Sequence, residues 1–424
     1  VDNGTRRLDQ HDLTDIGVLL YPYVAYGVLN GGSATSYGDK KKNRGFSEDL
    51  FRTYEAVFER LSEDVVGRPK GITPAFVNPD GSPGPSFLEL KFRSILLKRQ
   101  EYFAAAKTHG IDAAAVPEPL LPVFEMTSMF TQEELQQAYG AFQSSAVLRD
   151  LPDVEKVLCT THRVQPLLSA FTHSEEGHPR DLFQNAYGEP GRPLGIPGGH
   201  GQNFHVLAPV YRRLLDDGKR FAYLGNVDNL GFTVDPISVA QLAITGKQAG
   251  FDFSFRTPVD VKGGILVYDD QGRLNCGDIG PAISKDDVLA AEKRGKNILF
   301  NCATGLFNLD YLVRNLDHVV RDLPTRDSDQ DKDAGRYSQA EQVTWEIIGM
   351  LDDFLVFGIN KYERFLAAKL LLETLMTSGL EIDQAEKAQP TVRQLHHGLT
   401  TVLTRVYRMK PADGRWIPDE ADAD

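Results

Sequence analysis

Four glycine-rich segments, each beside an apolar run, carry the residues best suited to chemistry. Leu29-Asn-Gly-Gly-Ser-Ala-Thr-Ser-Tyr-Gly38 follows the aromatic and β-branched stretch Tyr23-Val-Ala-Tyr-Gly-Val-Leu29. Glycines directly after a strand let consecutive backbone N–H groups converge on an anion with no Cβ in the way, so this loop could cradle phosphates. Its spacing is neither Gly-x-Gly-x-x-Gly nor one ending in Gly-Lys-Ser/Thr, and alone it serves equally well as a tight structural turn. Gly67-Arg-Pro-Lys-Gly71 sets a proline that fixes the backbone beside Lys70, a cation able to neutralise phosphate charge. A solvated turn lysine is its plain alternative. Pro197-Gly-Gly-His-Gly201 precedes a helix-like stretch, and close backbone approach at a helix N-terminus suits an anion or a planar base. In the bland reading His200 merely caps that helix. Gly225-Asn-Val-Asp-Asn-Leu-Gly231 follows the run Phe221–Leu224 and puts Asp228 at the C-terminal end of a strand, where open α/β sheets bind ligands. One carboxylate there suits Mg²⁺, which takes one or two carboxylates plus phosphate oxygens. An Asx turn is the structural alternative.

Two other features carry less. Asp327-Ser-Asp-Gln-Asp-Lys-Asp333 resembles a calcium loop, but its glycine comes late and Glu is missing from position twelve, so it reads as a solvated acidic loop. His200 with His205, and His396 beside His397, lack the His-Glu-x-x-His pattern of zinc hydrolases.

These residues need a scaffold, and the sequence supplies an α/β one. Apolar runs at 23–29, 221–224, 264–268 and 297–300 alternate with helix-like stretches at 132–149, 204–217, 285–294 and 338–357, which predicts a mostly parallel sheet covered by helices on both faces. Residues 1–22 read as a polar, weakly helical lead. Residues 360–409 carry helical periodicity, and 419–424 form an acidic tail. Long Pro- and Gly-punctuated loops span 78–86 and 188–201, and loops of that length are more often functional than decorative. With 424 residues, the chain holds one large domain with attachments, or two domains. Its 46 basic and 59 acidic residues give a net charge of −13, which repels phosphate backbones and anionic membranes, so neither nucleic acid nor a membrane is the expected partner. Cys159, Cys276 and Cys302 make neither a disulfide framework nor a zinc site, and no secretory apolar segment opens the sequence, so a cytoplasmic location is expected.

Read in order, the segments resemble the UDP-sugar pyrophosphorylase family, most of all its glucose 1-phosphate uridylyltransferases. The loop 29–38 is similar to Leu-Asn-Gly-Gly-Leu-Gly-Thr-x-Met-Gly, and Pro69-Lys70-Gly71 with Ser86-Phe-Leu-Glu-Leu90 to the Pro-Lys step and Phe-Leu-Asp-Leu. Pro197–Gly201 resembles Pro-Pro-Gly-His-Gly, and Asn226–Gly231 resembles Asn-Ile-Asp-Asn-Leu-Gly. Lys262-Gly-Gly-Ile-Leu266, Phe300-Asn301 with Asn308-Leu309, and Arg364-Phe-Leu-Ala-Ala-Lys369 follow collinearly. The resemblance implies a Rossmann-like, GT-A-like nucleotidyltransferase fold over residues 23–359, with a helical closing segment at 360–424 and no C-terminal β-helix. It implies nucleotide contacts from Leu29, Asn30, Gly31, Gly32, Gly199, His200 and Gly201, with Gln165 as the candidate reader of uracil. Lys70, Lys369 and Asp228 take the catalytic positions, Asp228 also holding Mg²⁺, and Asn229, Gly264, Asp278 and Asn301 face the sugar phosphate. The implied substrates are UTP and a sugar 1-phosphate, and the products are UDP-sugar and pyrophosphate, a reaction of EC 2.7.7 type. That nucleophile is already ionised at neutral pH, so no general base is needed.

The sequence departs from the family pattern in places. Residues 39–68 are inserted between the glycine loop and Pro-Lys, and at the uninterrupted spacing stands Lys42-Asn43, which makes Lys42 the reserve for Lys70. Ala34 replaces the third loop glycine, Gln202 the Asp after Gly-His-Gly, and Asp278 a glutamate. Alternatives are another sugar 1-phosphate, such as galactose or an N-acetylhexosamine, or a relative that binds nucleotide or UDP-sugar without turnover. A Rossmann dehydrogenase or epimerase is disfavoured, because no Gly-x-Gly-x-x-Gly or Tyr-x-x-x-Lys follows the first strand.

Overall fold

The computed structural model describes all residues except 1–6, 33, 35–36, 113–115, 117, 258–259, 261–262, 281, 382, 384–388 and 420–424. Lys262, parts of the 29–38 loop and nearly all of the acidic tail lie outside the described residues. In chain order the strands are β1 (Val24–Leu29), β2 (Val123–Ser128), β3 (Thr161–Gln165), β4 (Leu167–Ser169), β5 (Phe171–Thr172), β6 (Gly195–Pro197), β7 (Phe221–Asn226) and β8 (Ala249–Phe255). They continue with β9 (Gly264–Tyr268), β10 (Leu274–Asp278), β11 (Leu299–Asn308), β12 (Thr325–Lys332), β13 (Gly335–Gln342), β14 (Phe354–Gly358), β15 (Met409–Ala412) and β16 (Arg415–Pro418).

The main sheet runs β10-β9-β11-β7-β1-β2-β3, with β8 and then β14 branching from β11. Its centre is parallel, β7 and β2 flanking β1 in the same direction, and β3 continues parallel beyond β2. β11 then lies antiparallel to β7, β8 and β9, which makes the sheet the mixed one expected of the fold. Every residue of β1 is buried, and successive side chains enter opposite layers: Val24, Tyr26 and Val28 join the core under helix Phe87–Thr108, whereas Ala25 and Leu29 join the core under helices Ala208–Asp216 and Leu309–Asp322. Helix Phe87–Thr108 starts on a capping box, Ser86 with Glu89, and helix Leu309–Asp322 buries Leu309, Leu312, Leu316 and Val319 at three- and four-residue spacing.

The inserted residues 39–68 form helices Lys40–Phe46 and Glu48–Val65. Phe51, Tyr54, Phe58, Leu61 and Val65 make one apolar face of the longer helix and pack with Leu371, Leu372, Leu375 and Met376 of the closing segment in a third core. Two expectations for the second half are corrected. Residues 338–357 are not a helix but the end of β13, a 3₁₀ turn at Thr344–Met350 and β14, because pairing holds the two strands, β13 against β12 and the aromatic-rich β14 against β8. The acidic run 327–333 is not a loop: residues 327–332 belong to β12, paired residue for residue with β13, and Asp333 opens the turn between them. After helices Leu371–Thr377 and Gln389–Arg405 the described chain ends in the hairpin β15–β16, with no β-helix among the described residues.

Candidate functional site

The parallel strands β1, β2, β3 and β7 all end on one rim of the sheet, and the chemistry-bearing residues gather there. Asn30 continues from β1 and is fully buried, its N–H donating to Met126 O at 2.9 Å. The insertion does not carry Lys70 away from the glycine loop. Lys70 N donates to Gly32 O at 3.0 Å and Ala34 N donates to Arg68 O at 2.7 Å, so backbone pairing brings residues 68–70 onto the loop. The Lys70 side chain is 7% exposed; its Nζ donates to Ala368 O at 2.7 Å and stands 3.3 Å from the centre of the Tyr37 ring, a close cation–π contact. Burial pulls the lysine down to about 8, against the opposing pull of Asp228 and Glu373. Lys42 lies exposed on the first inserted helix, and its charge is felt by Lys332 of β12.

On the side where the base is expected, Gln165 ends β3 and is buried. Its Nε2 donates to Gly199 O at 2.7 Å and to Gln202 Oε1 at 2.8 Å, while its Oε1 lies 3.3 Å from where a Cβ on Gly31 would stand. One glutamine thus ties the 199–202 turn to the glycine loop, and Gln202 takes part directly. Gly199 has φ +82°, and a Cβ there would meet Gln342 O at 2.4 Å, so both the backbone and the close approach require glycine. His200 Nδ1 accepts from Thr344 N at 3.1 Å and lies 2.8 Å from the Thr344 hydroxyl, which places the ring proton on Nε2. Burial, helped by Lys369, lowers this histidine to about 4, so it is neutral at pH 7.

Asp228 follows β7, half-buried, with no hydrogen bond or ion pair on its carboxylate among the described residues. Its charge acts on Lys70 and on Lys91. A carboxylate with no partner among the described residues suits Mg²⁺, which prefers few protein ligands and completes its shell with phosphate and water. Among the described residues no cluster of three or more His, Cys, Asp or Glu side chains forms a preassembled metal cage. Asn229 is engaged differently: its Oδ1 accepts from Gly231 N and Leu366 N, both at 3.0 Å, and its Nδ2 donates to Arg364 O at 3.2 Å. It ties the Asp228 loop to the segment that carries Lys369.

Gly264, Asp278 and Asn301 converge. Asp278 pairs with Gly264 across β10–β9, and a Cβ on Gly264 would meet Asp278 Oδ1 at 3.3 Å and Asn301 Cβ at 3.5 Å. Burial raises the Asp278 carboxyl, opposed by Lys369 and Arg326. Asn301 Oδ1 accepts from Ala303 N at 2.9 Å, while its buried Nδ2 has no partner among the described residues, a donor left for something outside the chain. Lys369 is exposed, and its charge reaches His200, Asp278, Glu373 and Lys70. Its charge thus acts on all four of these groups.

Residues 192–400 match the family model described as UTP–glucose-1-phosphate uridylyltransferase. This stretch, just under half of the chain, is similar to that family. A UTP–glucose-1-phosphate uridylyltransferase of Saccharomyces cerevisiae is 37% identical to it over 81 residues, 18% of this chain and 16% of the yeast protein. A second such enzyme, from Dictyostelium discoideum, is 31% identical over 104 residues, 23% of this chain and 21% of that protein. The alignments thus span about a fifth or less of these curated relatives. The fold agreement is wider. A mutant UDP-glucose pyrophosphorylase of Leishmania major in complex with UDP-glucose superposes with a TM-score of 0.58 at 17% identity, covering 99% of this chain and 71% of that one. The UDP-N-acetylglucosamine pyrophosphorylase of Trypanosoma brucei gives 0.62 at 16% identity, over 94% and 79%.

Several residues at this rim that the motifs did not single out also take part in it. Tyr37, inside the quoted loop, proves to be the platform for Lys70. Lys91, one residue past the Ser86–Leu90 match, is fully buried and donates to the carbonyls of Asn229 and Phe232, holding the Asp228 loop from behind. Glu373 accepts from the N–H groups of Lys369 and Leu370 at 2.7 and 2.8 Å, fixing the turn that presents Lys369. A lysine in an otherwise apolar helix face was the available signal for Lys91; nothing local marked the other two.

Proposed function

We propose that this chain is a nucleotidyltransferase that joins UTP and a sugar 1-phosphate, glucose 1-phosphate first among them, into UDP-sugar and pyrophosphate. An oxygen of the sugar 1-phosphate attacks the α-phosphorus of UTP in line, the α–β bridging bond breaks, and pyrophosphate leaves with its electron pair. The nucleophile is already anionic, so the chain's work is to position two polyanions and offset their repulsion. The N–H groups of Gly31 and Gly32 line the triphosphate, Lys70 and Lys369 supply positive charge, and Gln165 with the Gly199–Gly201 turn receives the uracil and ribose. Neutral His200, with its proton on Nε2, presents a donor without adding charge. Asp228 would hold Mg²⁺, which when bound supplies further neutralisation of the phosphate oxygens. The sugar faces Gly264, Asp278 and the unpartnered Asn301 Nδ2.

The observation that carries this reading is the convergence of the glycine loop, Lys70, Asp228 and Lys369 at one rim, from four separate parts of the sequence. The Gly-His-Gly form of the 199–201 turn favours glucose over N-acetylhexosamine members, whose loop tends to carry Gly-Asn-Gly. The test is pyrophosphate release with Mg²⁺ and UTP across glucose, galactose, N-acetylglucosamine and xylose 1-phosphates, with ATP, GTP and dTTP as controls. Release with UTP and glucose 1-phosphate above all other pairs is expected. UDP-glucose binding without any release would replace the transferase by a silent binding relative.

A further inference from the structure

Under the nucleotide loop, between the sheet and helix Gln132–Phe142, lies a carboxylic acid that the transfer chemistry does not use. Glu125 stands mid-strand in β2, opposite Val28 of β1 and His162 of β3, and none of it is exposed. Its Oε2 accepts from Asn30 Nδ2 at 3.4 Å and lies 3.8 Å from His162 Nδ1, and the Tyr139 hydroxyl faces it from the helix. Its Oε1 has no hydrogen-bond partner among the described residues. Burial pushes this carboxyl up to about 7, and hydrogen bonding from Tyr139 and Asn30 offsets only part of that rise. A leucine would fill the same strand position without that cost, so stability does not account for the glutamate.

Its neighbour does. The Asn30 amide is wedged between Glu125 and Gly71: a Cβ on Gly71 would stand 2.6 Å from Asn30 Oδ1 and 2.8 Å from Nδ2. Asn30 opens the glycine loop, and Gly71 directly follows Lys70. Asn30 Oδ1 has no donor, so among the described residues Glu125 is the one hydrogen-bonding partner that sets how this amide is turned. We propose that Glu125 is a positioning residue of the nucleotide site: by holding the Asn30 amide against Gly71 it sets the spacing between the glycine-loop N–H groups and Lys70. The proposal rests on the nucleotide reading of that loop. It assigns a binding role to a residue that touches no substrate.

The test uses the full chain, UDP-glucose as the probe in titration calorimetry, and urea unfolding of the same samples. Binding by the unsubstituted protein comes first, because its absence would remove the nucleotide reading and this proposal together. With that binding in hand, Glu125→Leu is expected to unfold at the same or a higher urea concentration yet bind UDP-glucose at least tenfold more weakly. Glu125→Gln, which keeps an oxygen for Asn30 Nδ2, is expected to bind within threefold of the parent. In an Asn30→Ala background Glu125→Leu is expected to add no further loss, since the partner is gone. If Glu125→Leu does not fold, Glu125→Met takes its place. Unchanged binding in the apolar variant, an equal loss in Glu125→Gln, or an undiminished loss in the Asn30→Ala background would overturn the proposal while leaving the nucleotide reading intact.

Discussion

Replacing Lys70 by methionine is expected to make the free protein more stable and nearly inactive. The ammonium is 7% exposed and its pKa is drawn from 10.5 to about 8, which corresponds to roughly 3 kcal/mol of unfavourable burial at neutral pH. Methionine fills similar volume without charge but leaves Ala368 O without its 2.7 Å donor, a loss of about 1 kcal/mol. The net expectation is a gain of about 2 kcal/mol in urea unfolding at pH 7. The pH dependence fixes the sign. Below pH 8 the lysine is charged in both states and the penalty is complete. Between 8 and 10.5 the unfolded chain keeps a proton that the folded chain has released, so the parent gains stability as pH rises, and the gap to Lys70→Met closes over that window. Turnover moves the other way. Two unit charges about 4 Å apart interact by about 4 kcal/mol at an effective dielectric of 20, so pyrophosphate release should fall about 10³-fold. A variant that is less stable than the parent, or that keeps activity within tenfold, would refute the assignment of Lys70 as a cation stored for phosphate.

The same lysine predicts that kcat/KM, which reports the free enzyme, falls as pH rises through about 8, a limb that pH-rate profiles should show in the parent. His200, lowered from 6.5 to about 4, stays neutral in the folded chain while the unfolded chain takes up a proton. Stability should therefore fall as pH drops from 6.5 to 4, by about 3 kcal/mol in total, and His200→Gln should remove that limb from pH-dependent urea unfolding. Asp228→Asn should raise the Mg²⁺ concentration needed for half-maximal activity about tenfold or more, as read by Mg²⁺ titration. Gly264→Ala would place a methyl 2.5 Å from Cys276 Sγ and 3.3 Å from Asp278 Oδ1, and should raise KM for the sugar 1-phosphate by at least tenfold while leaving KM for UTP within threefold.

Much of this fold and site could be read from the residues because local pattern and long-range role coincide in them. The run Val24–Leu29 is apolar on both faces because it lies mid-sheet between two helical layers, and the glycines after it mark the place where the backbone must be bare. The second half was less legible. β12 is acidic and half-exposed, and strand character there comes from pairing with β13 rather than from its own side chains, so its composition reads as loop. Residues 338–357 mix polar and apolar positions in a helix-like way, and only the pairing of β13 with β12 and of β14 with β8 decides that they are strand and turn. At the rim, Lys70 could be singled out by its Pro-Lys-Gly setting, but not the hydrogen bonds from residues 68–70 to the loop, which span a two-helix insertion. Glu125 had no signal at all, because one acidic residue in an apolar run has meaning only when Asn30 and Gly71 are known to meet it.

We propose that one rim of this sheet brings UTP and a sugar 1-phosphate together for transfer at the α-phosphorus. The most direct measurement is a phosphorus NMR time course of the full chain with UTP, glucose 1-phosphate and Mg²⁺. UDP-glucose and pyrophosphate resonances are expected to grow in equal amounts while both substrates decline. Folded protein that leaves both substrates untouched, or that releases inorganic phosphate from UTP without forming UDP-glucose, would contradict it.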